Sequence, residues 1–113
     1  MSLDYVWEKF YAAVLILAGS QGTVQERLAD AFTGQLIRLE TNDLPEELRG
    51  DFEQLERRLT SAEPTGGEGS VDASVQSLSD EEAAHLAEQI VEMYDAVTKL
   101  DAVDEYKRDA QGG

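Results

Sequence analysis

Glu82 and His85 come nearest, by type and spacing, to a metal-binding pair in this chain. A Glu-x-x-His pair on a helix sets a carboxylate and an imidazole one turn apart on one face. Bundle proteins that hold two iron or manganese ions use two such pairs and two further glutamates, all projecting inward. The chain has one histidine, so a dimer would have to supply the second pair. The apolar pattern around the motif also puts His85 on the outer face of its helix. Glu82 and His85 are thus a weak metal candidate, and no cofactor is expected.

Other reaction chemistry has less support. A nucleophilic triad needs a hydroxyl or thiol beside a histidine and a carboxylate; only His85 is available, and no serine has the G-x-S-x-G setting. Thr65-Gly66-Gly67-Glu68-Gly69 lacks the Lys-Ser/Thr of a phosphate loop and places Glu68 where a phosphate would sit. Asp72 stands too alone for a calcium loop. With 24 acidic residues, the pairing of any two carboxylates carries no information. No catalytic residue is assigned, and the chain is read as a non-enzyme.

Two groups of side chains suit recognition better than reaction. Tyr5, Trp7, Phe10 and Tyr11 fall within two helical turns, and Trp and Tyr are enriched at interface hot spots. They are also ordinary core residues. Glu81, Glu88, Glu92, Asp95 and Asp101 line a second helix. A row of carboxylates can imitate nucleic-acid phosphates, although a solvated acidic face is the plainer reading. The partner-binding candidates are Trp7, Tyr11 and Ile16 on the first helix, and Glu88, Glu92 and Asp95 on the last.

Helices must position all of these residues. The first is expected over 3–18, with Val6, Trp7, Phe10, Tyr11, Val14 and Leu15 as one apolar face, an end apolar nearly all round, and Gly19 as its C′ stop. A helix apolar all round is buried on more than one side. The second is expected over 23–41. It opens with a Thr23–Glu26 capping box, carries a stripe from Val24 through Leu28, Phe32 and Leu36 to Leu39, and contains Gly34 as a kink or close crossing. The third is expected over 44–61 behind an Asp43 N-cap, with Leu48, Phe52, Leu55 and Leu59 as a narrow stripe and the other face charged. Residues 62–77 form a Gly- and Ser-rich linker in which Val71, Val75 and Leu78 can make a short helical turn. The fourth helix, over 80–107, starts with a Ser79–Glu82 capping box. It repeats Ala83, Leu86, Ile90, Met93, Val97 and Leu100 at heptad a and d positions. Residues 109–113 should fray. The expectation is one all-α domain, four-helix bundle-like, with a long flexible connection before the last helix.

Composition bounds the function. The net charge is −15. Ten acidic and three basic side chains lie in residues 80–113, a net −7. Such a field disfavours direct contact with nucleic acid or anionic lipid. There is no cysteine. The N-terminus carries Asp4 and Glu8 where a secretory signal needs cations. The longest apolar run, Ala12 to Ala18, is far below the roughly 20 residues of a membrane span. The expectation is a cytoplasmic helical interaction or regulatory module. Its partner would be a protein, including a second copy of itself as a homodimer. An acidic nucleic-acid mimic that inhibits a basic protein is the alternative, and a dimeric carboxylate/His metal protein is the third reading.

Overall fold

The computed structural model describes residues 3–63 and 69–112. Among them are five α-helices, two 3-10 turns and no strand. The helices are α1 (Asp4–Gly19), α2 (Val24–Gly34), α3 (Glu46–Thr60), α4 (Ser70–Gln76) and α5 (Asp80–Gly112); the 3-10 turns span Leu36–Arg38 and Thr41–Asp43. The expectation counted four helices because it left α4 inside the linker. Val71, Val75 and Leu78 are indeed buried there, and a full helix carries the first two.

Local chemistry explains most of the boundaries. Both expected capping boxes form. Glu26 N–H donates to Thr23 Oγ1 at 3.1 Å, and the Glu26 carboxylate accepts from Thr23 N–H at 3.4 Å. The reciprocal pair between Ser79 and Glu82 is 3.1 Å each way. Gly19 does not take the left-handed stop expected of it. It stays in α1, and Ser20 leaves in extended conformation while its N–H still reaches Ile16 O. The positive φ of this connection, 109°, belongs to Gly22.

The second helix is shorter than its apolar stripe. It was expected to reach 41 and stops at Gly34. Two causes coincide. Thr33 Oγ1 donates back to Ala29 O at 2.8 Å, a bond that bends helices, and Gly34 costs about 1 kcal/mol relative to alanine. Leu36 and Leu39 nevertheless remain buried, because a 3-10 turn brings residues three apart onto one side. Asp43 caps that region instead of α3. Its carboxylate accepts from Glu40 N–H at 2.8 Å, and α3 starts after Pro45. At the other end of the chain, α5 remains helical to Gly112, past the point where fraying was expected; Gly113 lies outside the described residues.

The helices close around Phe10, Phe32 and Phe52, all fully buried. Phe10 and Phe52 meet edge to face with centroids 6.4 Å apart. Full burial of side chains of this size contributes about 1.5–3 kcal/mol each. α1 packs against α2 and α5, α2 also against α4 and α5, and α3 against α4. The expected stripe of α3 (Leu48, Phe52, Leu55, Leu59) is buried throughout; that of α5 is buried from Ala83 through Leu86, Ile90 and Met93 to Val97, and its last member, Leu100, is half-buried.

Polar contacts hold the start of α5 in place. Gln25 Nε2 donates to Leu78 O and to Asp80 Oδ1 at 3.1 and 2.9 Å. Arg58 reaches Glu82 at 2.9 Å. Where α3 gives way to α4, the buried Ser74 hydroxyl accepts from Ala62 N–H at 3.0 Å and donates to Ser70 O at 2.7 Å. α5 sets the longest dimension of the molecule: its 33 residues rise about 50 Å, against overall extents of 56 × 26 × 21 Å.

Candidate functional site

The buried positions of α1 are Val6, Phe10, Ala13 and Leu17. The single apolar face expected from Val6 to Leu15 therefore splits. One residue further on, about 100° around the helix, comes a second series: Trp7, Tyr11, Val14 and Ala18. α5 repeats the device. Its buried series is Ala83, Leu86, Ile90, Met93 and Val97; one residue on lie Ala84, Ala87, Val91, Tyr94 and Thr98. The two helices run antiparallel, so these second stripes lie side by side as one face.

At one end the face is aromatic. Trp7 Nε1–H donates to Thr98 Oγ1 at 2.9 Å, and the Thr98 hydroxyl donates to Tyr94 O at 2.8 Å. Trp7 stacks on Tyr11 with centroids 5.0 Å apart and planes within 6°. Tyr94 lies 6.0 Å from Trp7 and 6.2 Å from Tyr11. Trp7 is half-buried, and its indole N–H is paired.

At the other end the face opens into a groove of about 530 Å³ between α1 and α5. Val14, Leu17 and Ala18 form one wall, Ala84, Ala87 and Val91 the other, and Val24 of α2 also lines it. Leu15, one turn after Tyr11 at the outer edge of this face and outside the groove lining, is 53% exposed; Val91 is 45% and Tyr11 42% exposed. α1 is therefore not buried on several sides as its composition suggested; its last two turns offer apolar surface to solvent.

The acidic candidates border this groove. Glu88 and Glu92 belong to its lining. Asp95 lies two turns after Glu88 on the same side of α5 and accepts from Lys99 at 2.8 Å. Ile16 lies elsewhere. It is half-buried against the core, with its Cδ1 3.8 Å from the position a Cβ on Gly34 would take. Five of the six partner-binding candidates thus gather on one side of the molecule, and Ile16 supports the end of α2.

Glu82 and His85 have separate surroundings. The Glu82 carboxylate accepts from Ser79 N–H and from Arg58 Nη2. Those bonds, the backbone N–H first and the guanidinium second, hold its carboxyl below the ordinary glutamate value of about 4.5. His85 is exposed, with Gln89 Nε2 at 3.5 Å from its Nε2. Among the described residues no three His, Asp or Glu side chains lie close enough together to share a metal ion. Also among them, no helix is long and apolar enough to cross a membrane.

Sequence reasoning passed over Val91 and Ala84 and placed Leu15 in the core. The signal that finds the face is the second stripe: on both α1 and α5 an apolar series follows the core series by one residue. Comparison with family models, with curated protein sequences and with solved structures yields no match.

Proposed function

We propose that this chain is a non-enzymatic protein-interaction module, with an adaptor or regulatory role, that receives an amphipathic helix on the face formed by α1 and α5. The observation that carries the reading is the pair of adjoining second stripes. The core series gives each helix its covered side; of the second series, Trp7, Val14, Ala87 and Tyr94 pack only partly against the core, and Tyr11, Ala18, Ala84 and Val91 stay exposed. Solvent-facing apolar surface that is continuous across two helices, flat and aromatic at one end and grooved at the other, is the geometry of helix-in-groove recognition. Trp7, Tyr11 and Tyr94 supply rigid aromatic contact area there.

The alternative of a nucleic-acid mimic draws less support. Glu88, Glu92 and Asp95 flank apolar side chains, and Asp95 is paired with Lys99, whereas phosphate imitation needs an open row of charge.

The test uses a helical peptide with leucines at i, i+3, i+4 and i+7. Amide chemical shifts of the protein should move along α1 from Trp7 to Ala18 and along α5 from Ala84 to Thr98. The double variant Leu15→Gln/Val91→Gln should remove binding while its circular dichroism stays that of the parent. Shifts centred on α3, or binding that survives the double variant, would overturn the reading.

A further inference from the structure

Resting on that reading, we propose that the helix received by the α1–α5 groove is basic, with lysine or arginine flanking its apolar stripe. Charge around the groove carries the choice. Its lining holds two carboxylates, Glu88 and Glu92, and no cation. Both are exposed. Asp95 continues the row along α5. The nearby cations are already engaged. Lys99 meets Asp95 at 2.8 Å, and Arg27 Nη1 donates to Leu17 O at 2.6 Å, in the last turn of α1. The rim is thus acidic along its α5 side, beside an apolar floor.

The same charges weigh against a second copy of this chain. Each copy carries −15. Apposing two such faces would bring Glu88 and Glu92 of both copies together with no free cation in either lining, and like charges across an interface disfavour it. A basic amphipathic helix meets both features at once: its leucine-like stripe covers Val14, Ala87 and Val91 while its cations meet Glu88 and Glu92. From Ala84 to Thr98 the face runs about 20 Å along α5, which suits a partner helix of about 14 residues.

Four tryptophan-free peptides test the proposal, read by emission of the single tryptophan, Trp7, and by calorimetry. Three share one leucine stripe and carry Lys, Gln or Glu at the polar positions; the fourth has the Lys composition in scrambled order. At low salt the Lys peptide should bind at least about tenfold more tightly than the Gln peptide. The Glu peptide should not bind, and added salt should erase the difference. Glu88→Gln/Glu92→Gln should lower affinity for the Lys peptide to that of the Gln peptide. Glu46→Gln/Glu47→Gln, the same charge change at exposed sites on α3, should leave it unaltered.

Equal binding by the scrambled peptide, or an equal loss from the α3 variant, would mean attraction to net charge alone and overturn the proposal. Equal binding by the Lys and Gln peptides, lost in Leu15→Gln/Val91→Gln, would overturn the basic partner and leave the docking face standing. Failure of all three striped peptides would overturn both. A dimer in sedimentation that dissociates on Val91→Gln would identify a second copy as the occupant and overturn the basic helix.

Discussion

Helices α1 and α3 are built on one plan and present opposite surfaces. They have 16 and 15 residues. Each buries four side chains at spacings of four, three and four: Val6, Phe10, Ala13 and Leu17 in α1, and Leu48, Phe52, Leu55 and Leu59 in α3. The positions one residue on then diverge. In α1 they are Trp7, Tyr11, Val14 and Ala18; in α3 they are Arg49, Glu53, Glu56 and Thr60. A helix of this fold needs only the first series for its core, and α3 shows the polar surface that results. The apolar second series of α1 packs only in part against the core, through Trp7 and Val14, and leaves Tyr11 and Ala18 exposed; α5 carries the matching series.

The largest test of the shared plan is removal of its central ring. Phe10→Ala and Phe52→Ala should each cost about 3–5 kcal/mol in urea unfolding. Because the two rings touch, the double variant should cost less than the sum of the two, by about 0.5–1.5 kcal/mol. Full additivity would break the picture of one joint core.

The next test separates the exposed apolar face from the core. Leu15→Gln/Val91→Gln should reduce binding of the amphipathic peptide by at least about tenfold while each substitution changes stability by only about 0.5 kcal/mol. Glu53→Gln on α3 should change neither quantity measurably. A stability loss as large as that of a core substitution would show that these two positions belong to the core after all.

A smaller effect sharpens the aromatic end. Trp7→Phe removes the indole N–H to Thr98 and should cost about 0.5–1.5 kcal/mol. Thr98→Val in the Trp7→Phe background should add little, since the bond is already gone. A double-variant cost equal to the sum of the singles would sink that account.

The smallest effect concerns Glu82, where α3 and α5 are tied. Its carboxyl titrates below the ordinary value. Its contribution to stability is therefore present above that ordinary value and is lost as pH falls through the lowered one. In an NMR titration, Arg58→Gln should move the Glu82 midpoint upward without fully restoring it, because the Ser79 backbone N–H remains. A full return to the ordinary value would reverse the ranking of the two causes.

The fold was legible wherever burial depended on spacing alone. The stripes of α3 and α5 and both capping boxes follow directly from residue type and interval. Burial of Leu36 and Leu39 was also legible, but their backbone was not: the same interval of three serves an α-helix and a 3-10 turn, and Thr33 with Gly34 decided between them. α4 was legible only as a turn, since a seven-residue segment behind a Gly-rich stretch takes its helicity from docking on α2 and α3. On α1 the difficulty lay in excess. Apolar residues occupy so many positions that periodicity identifies a helix but not which side is covered. That depends on where α5 lies, and hence Leu15 was placed inward and Trp7 left between core and surface.

The Ser74 hydroxyl has a consequence for chain length. By joining Ala62 N–H to α4 it bridges a separation of twelve residues in sequence. The distance between the two anchor points is then fixed by the anchors and not by the number of residues between them. Closing a connection costs entropy that grows only with the logarithm of its length, about 0.6 kcal/mol for each doubling. Residues inserted between these anchors should thus leave the junction of α3 and α4 unaltered, which makes this connection the natural place for the chain to gain or lose length without disturbing the face on the opposite pair of helices.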